Sequence, residues 1–218
     1  MLPSDPFPAS DFDTWAETYD RDLIAQNRFP FDGYEVALDT VVRLAAPEAG
    51  MSVLDIGTGT GNLAVRFAAR GCKLWCTDFS AAMLEKASSK LPLTKLVHHD
   101  LRDPWPVQLE RRFDRIVSAY VFHHFELNEK VALCTELVHM RLVPSGKLVL
   151  ADISFLDSGA MDRFAESVGE LWEAEPYWLA TEAIPLLEHA GLRVTYQQVS
   201  ECAGVYCVDG PDAPPAKT

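Results

Sequence analysis

The feature that most restricts the fold of this chain is a glycine-rich segment, VLDIGTGTGNL, at residues 53–63. Gly57, Gly59 and Gly61 stand at every second position after a short apolar run that carries an acid. Such a run predicts a buried strand, and glycines that follow a first strand let the backbone approach a ligand closely. A dinucleotide loop places its third glycine one position later, and a P-loop continues with Gly-Lys-Ser/Thr, which is absent here. Both phosphate-binding interpretations therefore fail in detail.

Short apolar runs alternate with helical patterns along the chain, and this alternation predicts the fold class. The runs typical of strands are residues 51–56, 72–77, 95–98, 113–119, 146–152, 193–200 and 204–209. The helices between them indicate βαβ units and a parallel sheet, while the short gap between the last two runs indicates an antiparallel hairpin. We therefore expect an α/β fold: a doubly wound Rossmann-like sheet, mostly parallel with one antiparallel strand near the C-terminus, plus an N-terminal helical cap.

Capping residues predict where the helices begin and end. Ser80 is a suitable N-cap for the helix AAMLEKASSK, and Gly71 is a suitable residue to follow the helix that starts near Gly61. Pro144 is expected to end the helix NEKVALCTELVHM, because the residue before a proline disfavours helical geometry. A last helix is expected to begin at Thr181.

The length of 218 residues suits a single domain. We expect one domain over residues 1–210, with a helical cap at 11–45 and a lid insertion at 155–180. The proline-rich segment GPDAPPAKT predicts a flexible tail over residues 211–218.

Charge and cysteine usage restrict the partners and the location of the protein. The net charge of −13 disfavours nucleic acids and anionic membranes, and it is compatible with a small neutral or cationic substrate. The first residues show no signal-peptide pattern, and no apolar run is long enough to span a membrane. The five cysteines are an odd number and include no Cys-x-x-Cys pair, which indicates reduced thiols in a cytosolic protein. We expect a cytoplasmic monomer or homodimer with a small-molecule substrate, and neither a nucleic acid nor a membrane as partner.

The segment LDIGTGTG resembles the first motif of the class I methyltransferases that depend on S-adenosyl-L-methionine (SAM). The resemblance implies SAM as the methyl donor and S-adenosyl-L-homocysteine (SAH) as the product. It also implies that the backbone of Gly57, Thr58 and Gly59 lies under the methionine part of SAM, while Asp55 supports the loop and the ammonium group. The chemistry agrees, because SAM carries an ammonium and a carboxylate but no phosphate.

The second predicted strand leads into Asp78, at the type of strand end where open α/β sheets bind ligands. Its spacing from Gly61 is close to the ~20 residues expected of an acid that binds a ribose. The carboxylate can accept hydrogen bonds from both ribose hydroxyls, with helix capping as the alternative role. Phe79 and Met83 can enclose the adenine, because aromatic and thioether groups pack well on flat rings, although Met83 taken alone would belong to the core.

The third and fourth strands are followed by residues that match the same family. Asp100 would accept a hydrogen bond from the adenine amino group, with the backbone of Leu101 beside the ring, although Asp100 taken alone would be a turn residue. Ala119 would flank the methionine end of SAM. The segment DFDTWAETYD at 11–20 resembles the N-terminal helix of many small bacterial methyltransferases, and the chain resembles their YrrT-like branch.

The paired histidines at 98–99 do not predict a metal site. Adjacent residues on a strand point to opposite faces, so His98 and His99 do not readily share one ion. The sequence also contains no H-x-x-x-H pair that would complete a site on a helix. We therefore expect no metal.

His123 and His124 follow the fourth strand, beside the expected position of the transferred methyl group. Histidine suits a base that removes a proton from the acceptor near neutral pH, although holding two reactants in line can itself supply much of the rate. The string FHHFELNEK resembles that of phosphoethanolamine methyltransferases, whose catalytic histidine falls at the position of His124. That histidine works with a tyrosine of the N-terminal helix, which implies a latch between Tyr19 and His124 over the cofactor. The alternative is that the histidine pair only packs and orders the loop.

Aromatic residues before the first strand and after the fifth are expected to roof the acceptor pocket. They are Trp15, Tyr19, Phe29, Phe31, Tyr34, Phe155, Trp172, Tyr177 and Trp178. Such a roof suits a hydrophobic or onium-like acceptor, and core packing is the alternative. The sequence thus predicts methyl transfer from SAM to a small molecule of open identity. A non-catalytic SAM-binding or sensor protein is the main alternative, and an NAD(P)-dependent reductase is a further one that lacks its dinucleotide loop here.

Overall fold

The computed structural model describes residues 8–25 and 29–211. The strands are Ser52–Ile56 (β1), Lys73–Asp78 (β2), Lys95–His98 (β3), Phe113–Ala119 (β4), Leu142–Phe155 (β5), Trp178–Leu179 (β6), Val194–Gln198 (β7) and Ala203–Asp209 (β8). The helices are Ala9–Trp15 (α1), Tyr19–Ala25 (α2), Tyr34–Ala45 (α3), Ala64–Ala68 (α4), Ala81–Lys90 (α5), Leu127–Glu136 (α6), Ser158–Val168 (α7) and Ala180–His189 (α8). Except for Pro211, the predicted tail lies outside the described residues.

The strands form one sheet in the order β3-β2-β1-β4-β5-β8-β7, and β6 pairs with the end of β5. Strands β1 to β5 pair in parallel, and β8 runs antiparallel to both β5 and β7. This confirms the expected mostly parallel, Rossmann-like sheet with one antiparallel strand near the C-terminus. The strand order reverses between β1 and β4, so the carboxyl ends of these strands border the crevice where doubly wound sheets bind ligands.

Strand β5 is longer than the predicted run of residues 146–152. Helix α6 continues through a π-helical turn at Leu137–Arg141 directly into β5, which begins at Leu142. The helical stretch thus ends at Arg141, three residues before Pro144, and Pro144 itself lies inside β5. The sequence does not predict β6, because two residues are too few to show a periodicity.

The boundaries of the helices near the site follow their capping residues. The Ser80 hydroxyl accepts a hydrogen bond from the Met83 backbone N–H at 3.1 Å, as expected of the N-cap of α5. Gly71 follows the short helix α4 with a φ of 76°, which turns the chain toward β2. Helix α8 begins one residue before the predicted Thr181.

Apolar clusters pack on both faces of the sheet, and a further cluster lies at the carboxyl end of β5. That further cluster consists of Phe29, Ile153, Phe155, Phe164, Tyr177 and Cys202. It joins the chain before α3, the helix α7 and the segment before β6 to the end of the fifth strand. The parts of the chain that were expected to form a cap and a lid are therefore held together at the edge of the sheet where the glycine loop lies.

Among residues 8–25 and 29–211, no helix is both long and apolar enough to cross a membrane. All five cysteines are free thiols. Four of them are buried and Cys72 is partly exposed, so they contribute to the core as small apolar side chains.

Candidate active site

Two adjoining cavities open at the carboxyl edge of β1, β2 and β4. The smaller is lined by Ile56, Gly57, Thr77, Asp78, Phe79, His99, Asp100, Leu101, Arg102, Val121, His124 and Phe125. The larger has a volume of about 550 Å³ and continues past Gly59, Met83 and Ala119 toward Tyr19, His123 and Glu175. Gly57, Asp78, Phe79, Val121 and His124 line both cavities, which therefore form one continuous site. The volume lies in the range of about 300–1,000 Å³ that is typical of small-molecule sites.

The glycine loop forms the floor of this site with left-handed backbone angles. The φ angle is 63° at Gly57, 53° at Gly59 and 91° at Gly61. A Cβ atom on Gly57 would lie 2.2 Å from Val121 Cγ2, so packing requires a glycine there. A Cβ atom on Gly59 would meet no atom within 4 Å, although Gly59 lines the larger cavity. The backbone at Gly59 is thus left open to a ligand.

Asp55 lies beneath the loop and is almost fully buried, with 1% of its surface exposed. Its Oδ2 accepts a hydrogen bond of 2.6 Å from the Thr58 hydroxyl, while its Oδ1 has no hydrogen-bond partner among the described residues. Burial raises the pKa of Asp55 to about 7, against the hydrogen bond from Thr58, which lowers it. The Oδ1 atom of Asp55 can therefore accept a hydrogen bond from a ligand, and a cationic ligand would favour the ionised form of this carboxyl group.

Asp78 stands at the end of β2, and its carboxylate ties the loop to the next helix. Its Oδ2 accepts from the Gly59 N–H at 2.8 Å, and its Oδ1 accepts from the Ser80 N–H at 2.9 Å. Burial raises the pKa of Asp78 to about 6, while these backbone hydrogen bonds oppose the shift. Each oxygen keeps a second lone pair, so the carboxylate can still accept hydrogen bonds from a ligand in either cavity.

Phe79, Met83, Asp100 and Leu101 surround the space expected for an adenine. Phe79 lines both cavities and Met83 lines the larger one. Asp100 and Leu101 line the smaller cavity. Burial raises the pKa of Asp100, but paired hydrogen bonds from the Arg102 guanidinium outweigh burial and hold it below its usual value. Asp100 is therefore an ionised acceptor at neutral pH.

His98, the last residue of β3, and His99, which follows it, make different contacts. His98 Nε2 lies 2.8 Å from the carbonyl oxygen of Phe79. The His99 ring packs against Trp105, with ring centroids 5.1 Å apart, and it lines the smaller cavity. The two rings thus contact different parts of the fold.

Ala119 ends β4 beside the larger cavity, and the next residue is strained. Tyr120 has a φ of 60°, which is uncommon for a residue other than glycine, and its N–H donates to the Ala151 carbonyl at 2.9 Å. The buried Tyr120 hydroxyl has no hydrogen-bond partner among the described residues. The turn after β4 therefore brings an unsatisfied polar group to the site, and the sequence gives no signal for it.

His123 belongs to a 3₁₀ turn at Phe122–His124 and contacts a buried acid. Its Nδ1 lies 2.5 Å from Asp152 Oδ1, and the Trp178 indole N–H donates to Asp152 Oδ2 at 3.0 Å. Burial alone would raise the pKa of Asp152, but His123 and the hydrogen bonds hold it below its usual value. Because Asp152 is ionised, Nδ1 of His123 carries the hydrogen and Nε2 is directed away from Asp152.

Glu175 lies opposite the two histidines and comes from the segment before β6. Its Oε2 is 3.6 Å from His123 Nε2 and 3.9 Å from His124 Nδ1. Burial raises the pKa of Glu175. His123, His124 and Glu175 each place one nitrogen or oxygen atom within 4.8 Å of the others. Three atoms at this spacing could also bind a metal ion. Lys130, which is fully buried, donates to the Pro176 carbonyl and so fixes the segment that carries Glu175.

Helices α1 and α2 cover the site, and acids from both contact its rim. Asp13 accepts hydrogen bonds from the Ser80 hydroxyl at 2.6 Å and from the Ala82 N–H at 3.3 Å. Asp20 binds the Thr60 hydroxyl at 2.6 Å and the Lys90 ammonium at 2.6 Å. The cap is therefore closed over the glycine loop and the start of α5.

Tyr19 and His124 both line the larger cavity, but each contacts other aromatic residues. The Tyr19 ring packs edge-on against Trp15 and Phe31, and burial raises its pKa well above the usual value. The cap residue packed edge-on against His124 is Phe12, with ring centroids 5.8 Å apart. The latch between Tyr19 and His124 stays a prediction.

Sequence reasoning missed Asp152, Glu175 and the two cap acids. It expected Trp178 in the roof of the pocket, whereas Trp178 is fully buried and its indole N–H donates to Asp152. Asp152 had a signal, since the run GKLVLAD ends on it at a strand that borders the crevice. Glu175 had none, because it lies in an irregular segment and meets the histidines only through tertiary packing.

Comparisons with known proteins identify the family and support the fold. The family described as Methyltransferase domain matches residues 53–146. An uncharacterized methyltransferase of Geobacillus kaustophilus, GK2543, is 37% identical over 163 residues, which are 71% of this chain and 71% of the relative. The uncharacterized methyltransferase YrrT of Bacillus subtilis is 36% identical over 157 residues, 68% of each chain. The structure of DhpI in complex with SAH superposes with a TM-score of 0.71 at 19% identity, covering 93% of this chain and 95% of that chain.

The chain belongs to the class I SAM-dependent methyltransferases. It is an enzyme that takes its methyl group from SAM and releases SAH, and it is similar to small bacterial methyltransferases such as YrrT. The residues of the site agree with this cofactor, since the open backbone at Gly59 offers a cradle and the unpartnered Asp55 oxygen suits a donor such as an ammonium group.

Proposed function

We propose that this enzyme transfers the methyl group of SAM to a small-molecule acceptor bound in the larger cavity. The observation that carries the proposal is the position of His123, which is oriented by buried Asp152 and lines the same cavity as the glycine loop. The size of the cavity, about 550 Å³, and its cover by α1 and α2 support a small acceptor rather than a macromolecule. The strongly acidic chain supports the exclusion of nucleic acids as partners, and its free thiols support a reducing, cytoplasmic location.

The cofactor is assigned to residues that line the continuous site and to Asp55 and Thr58, which are buried in and beneath the glycine loop. Asp55, Gly57, Thr58, Gly59 and Ala119 hold the methionine part, and Asp78 accepts from the ribose hydroxyls. Phe79 and Met83 enclose the adenine, whose edge faces Asp100 and Leu101. Tyr19 covers the cofactor from the cap. When bound, SAM supplies an electrophilic methyl group on a positively charged sulfur.

His123 is the group that accepts a proton from the acceptor. Its Nδ1–H is held by Asp152, so its Nε2 lone pair faces the cavity, and the carboxylate stabilises the imidazolium that forms. The sequence alone favoured His124 for this role. We now assign His124 to orienting the acceptor, together with the cap residue Phe12 against which it packs. Closure of the cap and exclusion of water hold the reactants in line, which supplies much of the rate.

The proposal is tested by the formation of SAH from SAM with a cell extract divided by ultrafiltration into small-molecule and macromolecular fractions. We expect SAH to form with the small-molecule fraction only. Formation with the macromolecular fraction alone would contradict the proposal. No SAH above background with either fraction, while calorimetry detects binding of SAM and SAH, would support the alternative of a non-catalytic SAM sensor.

A further inference from the structure

We propose that the methyl acceptor is an amine, which enters the cavity as an ammonium ion and docks between Glu175 and His123. This rests on the proposed function and adds the chemical class of the acceptor to it. The two side chains come from different parts of the chain, Glu175 from the segment before β6 and His123 from the turn after β4, and they meet at the larger cavity.

The first observation is that hydrogen-bond acceptors converge at this point. Glu175 Oε2 is buried, yet it has no hydrogen-bond partner among the described residues. His123 Nε2 is 3.6 Å away, and Asp152 holds the ring in the tautomer that leaves this nitrogen a lone pair. An unsatisfied buried carboxylate oxygen is costly, so the site favours a ligand that brings donors.

An ammonium group suits the spacing of these acceptors. Its N–H bonds point to the corners of a tetrahedron, so hydrogen bonds of about 2.9 Å span acceptors up to about 4.7 Å apart. One atom each of His123, His124 and Glu175 lies within 4.8 Å of the others. One ammonium nitrogen can therefore donate to Glu175 and to His123 together.

The walls of the cavity favour the same class of ligand. Phe29 and Tyr177 line it, with ring centroids 6.2 Å apart, and aromatic faces attract cations. Glu173 adds a second carboxylate to this side of the cavity. Among the described residues that line the larger cavity there is no lysine or arginine. An acceptor that carried a phosphate or a carboxylate would find no cationic partner in that part of the lining.

These acids are separate from those that serve the cofactor. Asp55 and Asp78 lie at the carboxyl ends of β1 and β2, whereas Glu173 and Glu175 belong to the segment before β6. The acids assigned to SAM are therefore Asp55 and Asp78, and the carboxylates of Glu173 and Glu175 are available to a second cation.

The reaction balances without another reagent. The ammonium group passes one proton to His123 Nε2, which frees the nitrogen lone pair. The new N–C bond forms as the C–S bond breaks, and the electron pair of that bond stays on sulfur, which becomes the neutral thioether of SAH. The methylated nitrogen leaves as a substituted ammonium ion, and His123 returns its proton to water.

The first test divides the small-molecule fraction of the cell extract on a cation exchanger. We expect the activity that forms SAH to bind the resin and to elute with salt, because the acceptor is a cation. Activity in the unbound fraction would overturn the amine assignment while leaving the proposed function intact. Absence of activity in the undivided small-molecule fraction would instead contradict the proposed function.

The second test measures binding to the enzyme saturated with SAH, with four probes that share one skeleton: phenethylamine, phenethyl alcohol, phenethyl mercaptan and hydrocinnamate. We expect the amine to bind at least about tenfold more tightly than the others, and Glu175→Gln to abolish this preference. The matched control is Glu170→Gln, an exposed residue outside the cavity lining, which should keep it.

Equal binding of amine and alcohol, or preference for the carboxylate, would overturn the proposal. So would tight binding of zinc chloride to the SAH complex that is lost in Glu175→Gln, because the same three side chains would then be metal ligands.

Discussion

The imidazole of His123 and the carboxylate of Asp152 share a buried hydrogen bond, with 2.5 Å between Nδ1 and Oδ1. The two residues belong to different elements, the turn after β4 and the strand β5, and Trp178 of β6 fixes the second carboxylate oxygen. The contact holds His123 in one orientation and one tautomer. His124 is oriented differently, by packing edge-on against Phe12 of the cap.

The first prediction separates the two histidines. His123→Ala and Asp152→Asn should each lower kcat by roughly 10²-fold, the scale of general base catalysis. The first variant removes the base, and the second removes the carboxylate that keeps the hydrogen of His123 on Nδ1. The affinity for SAH should change little, since neither side chain is assigned to the cofactor. His139→Ala, which changes an exposed histidine in the π-helical turn, is the control. A larger loss of kcat in His124→Ala than in His123→Ala would return the role of base to His124.

The second prediction concerns the acid at the end of β2. Asp78→Ala should weaken SAH binding by about 1–3 kcal/mol, the loss expected for charge-assisted hydrogen bonds to a ribose. Asp78 also accepts from Gly59 and Ser80, so Asp78→Asn, which keeps an acceptor for one of them, should be measured beside it. Calorimetry gives the affinity, and thermal unfolding shows whether the loop is intact. Unchanged affinity in both variants would place the ribose elsewhere, and Asp103→Asn serves as an exposed control.

The third prediction uses two glycines of the loop with different surroundings. Gly57→Ala should unfold or strongly destabilise the protein, because its Cβ would overlap Val121 at 2.2 Å. Gly59→Ala should cost only about 1–2 kcal/mol of stability from its left-handed backbone, since its Cβ meets no atom within 4 Å. It should nevertheless weaken SAH binding, because the methyl group would occupy the cradle for the cofactor. A Gly59→Ala protein with normal SAH affinity would show that the cofactor does not approach this backbone.

The sequence predicted the cofactor half of the site better than the acceptor half. The glycine loop, Asp78 and Ser80, the N-cap of α5, are local features. The turn geometry and the strand end that they require can be predicted from neighbouring residues. The pair of His123 and Asp152 depends on which strands lie side by side, and Glu175 depends on the packing of an irregular segment. No periodicity reports such contacts, so only the three-dimensional structure brings these groups together.

The fourth prediction concerns pH and the buried acid below the loop. The pKa of Asp55 is about 7 in the folded protein and 3.8 without burial. Between these values the folded state keeps a proton that the unfolded state releases, so the stability of the ligand-free protein falls as pH rises through this window. Asp55→Asn removes that penalty and keeps an acceptor for Thr58.

The stability gained by Asp55→Asn should therefore grow by roughly 2–3 kcal/mol between about pH 5 and pH 8, at 1.36 kcal/mol per unit of pKa. Chemical denaturation at the two pH values measures the difference. The same gain at both would mean that Asp55 is already ionised at the lower pH.

The fifth prediction concerns the closed cap. Asp20 contacts Thr60 and the Lys90 ammonium across the glycine loop, and both charged side chains are partly exposed. A partly exposed ion pair adds little to global stability, about 0–1 kcal/mol, so Asp20→Asn should leave thermal unfolding nearly unchanged. It should open the cap more often and speed the release of SAH by roughly fivefold, which corresponds to about 1 kcal/mol.

Stopped-flow fluorescence can follow that release, because Trp15 of α1 lines the larger cavity. Added salt should speed SAH release from the wild-type protein, since salt screens the contact between Asp20 and Lys90, and should act less on Asp20→Asn. Asp11→Asn, at an exposed position of the same cap, is the matched control and should behave like the wild type. If Asp20→Asn and Asp11→Asn release SAH at the same rate, the contact between the cap and the loop does not govern cofactor exchange.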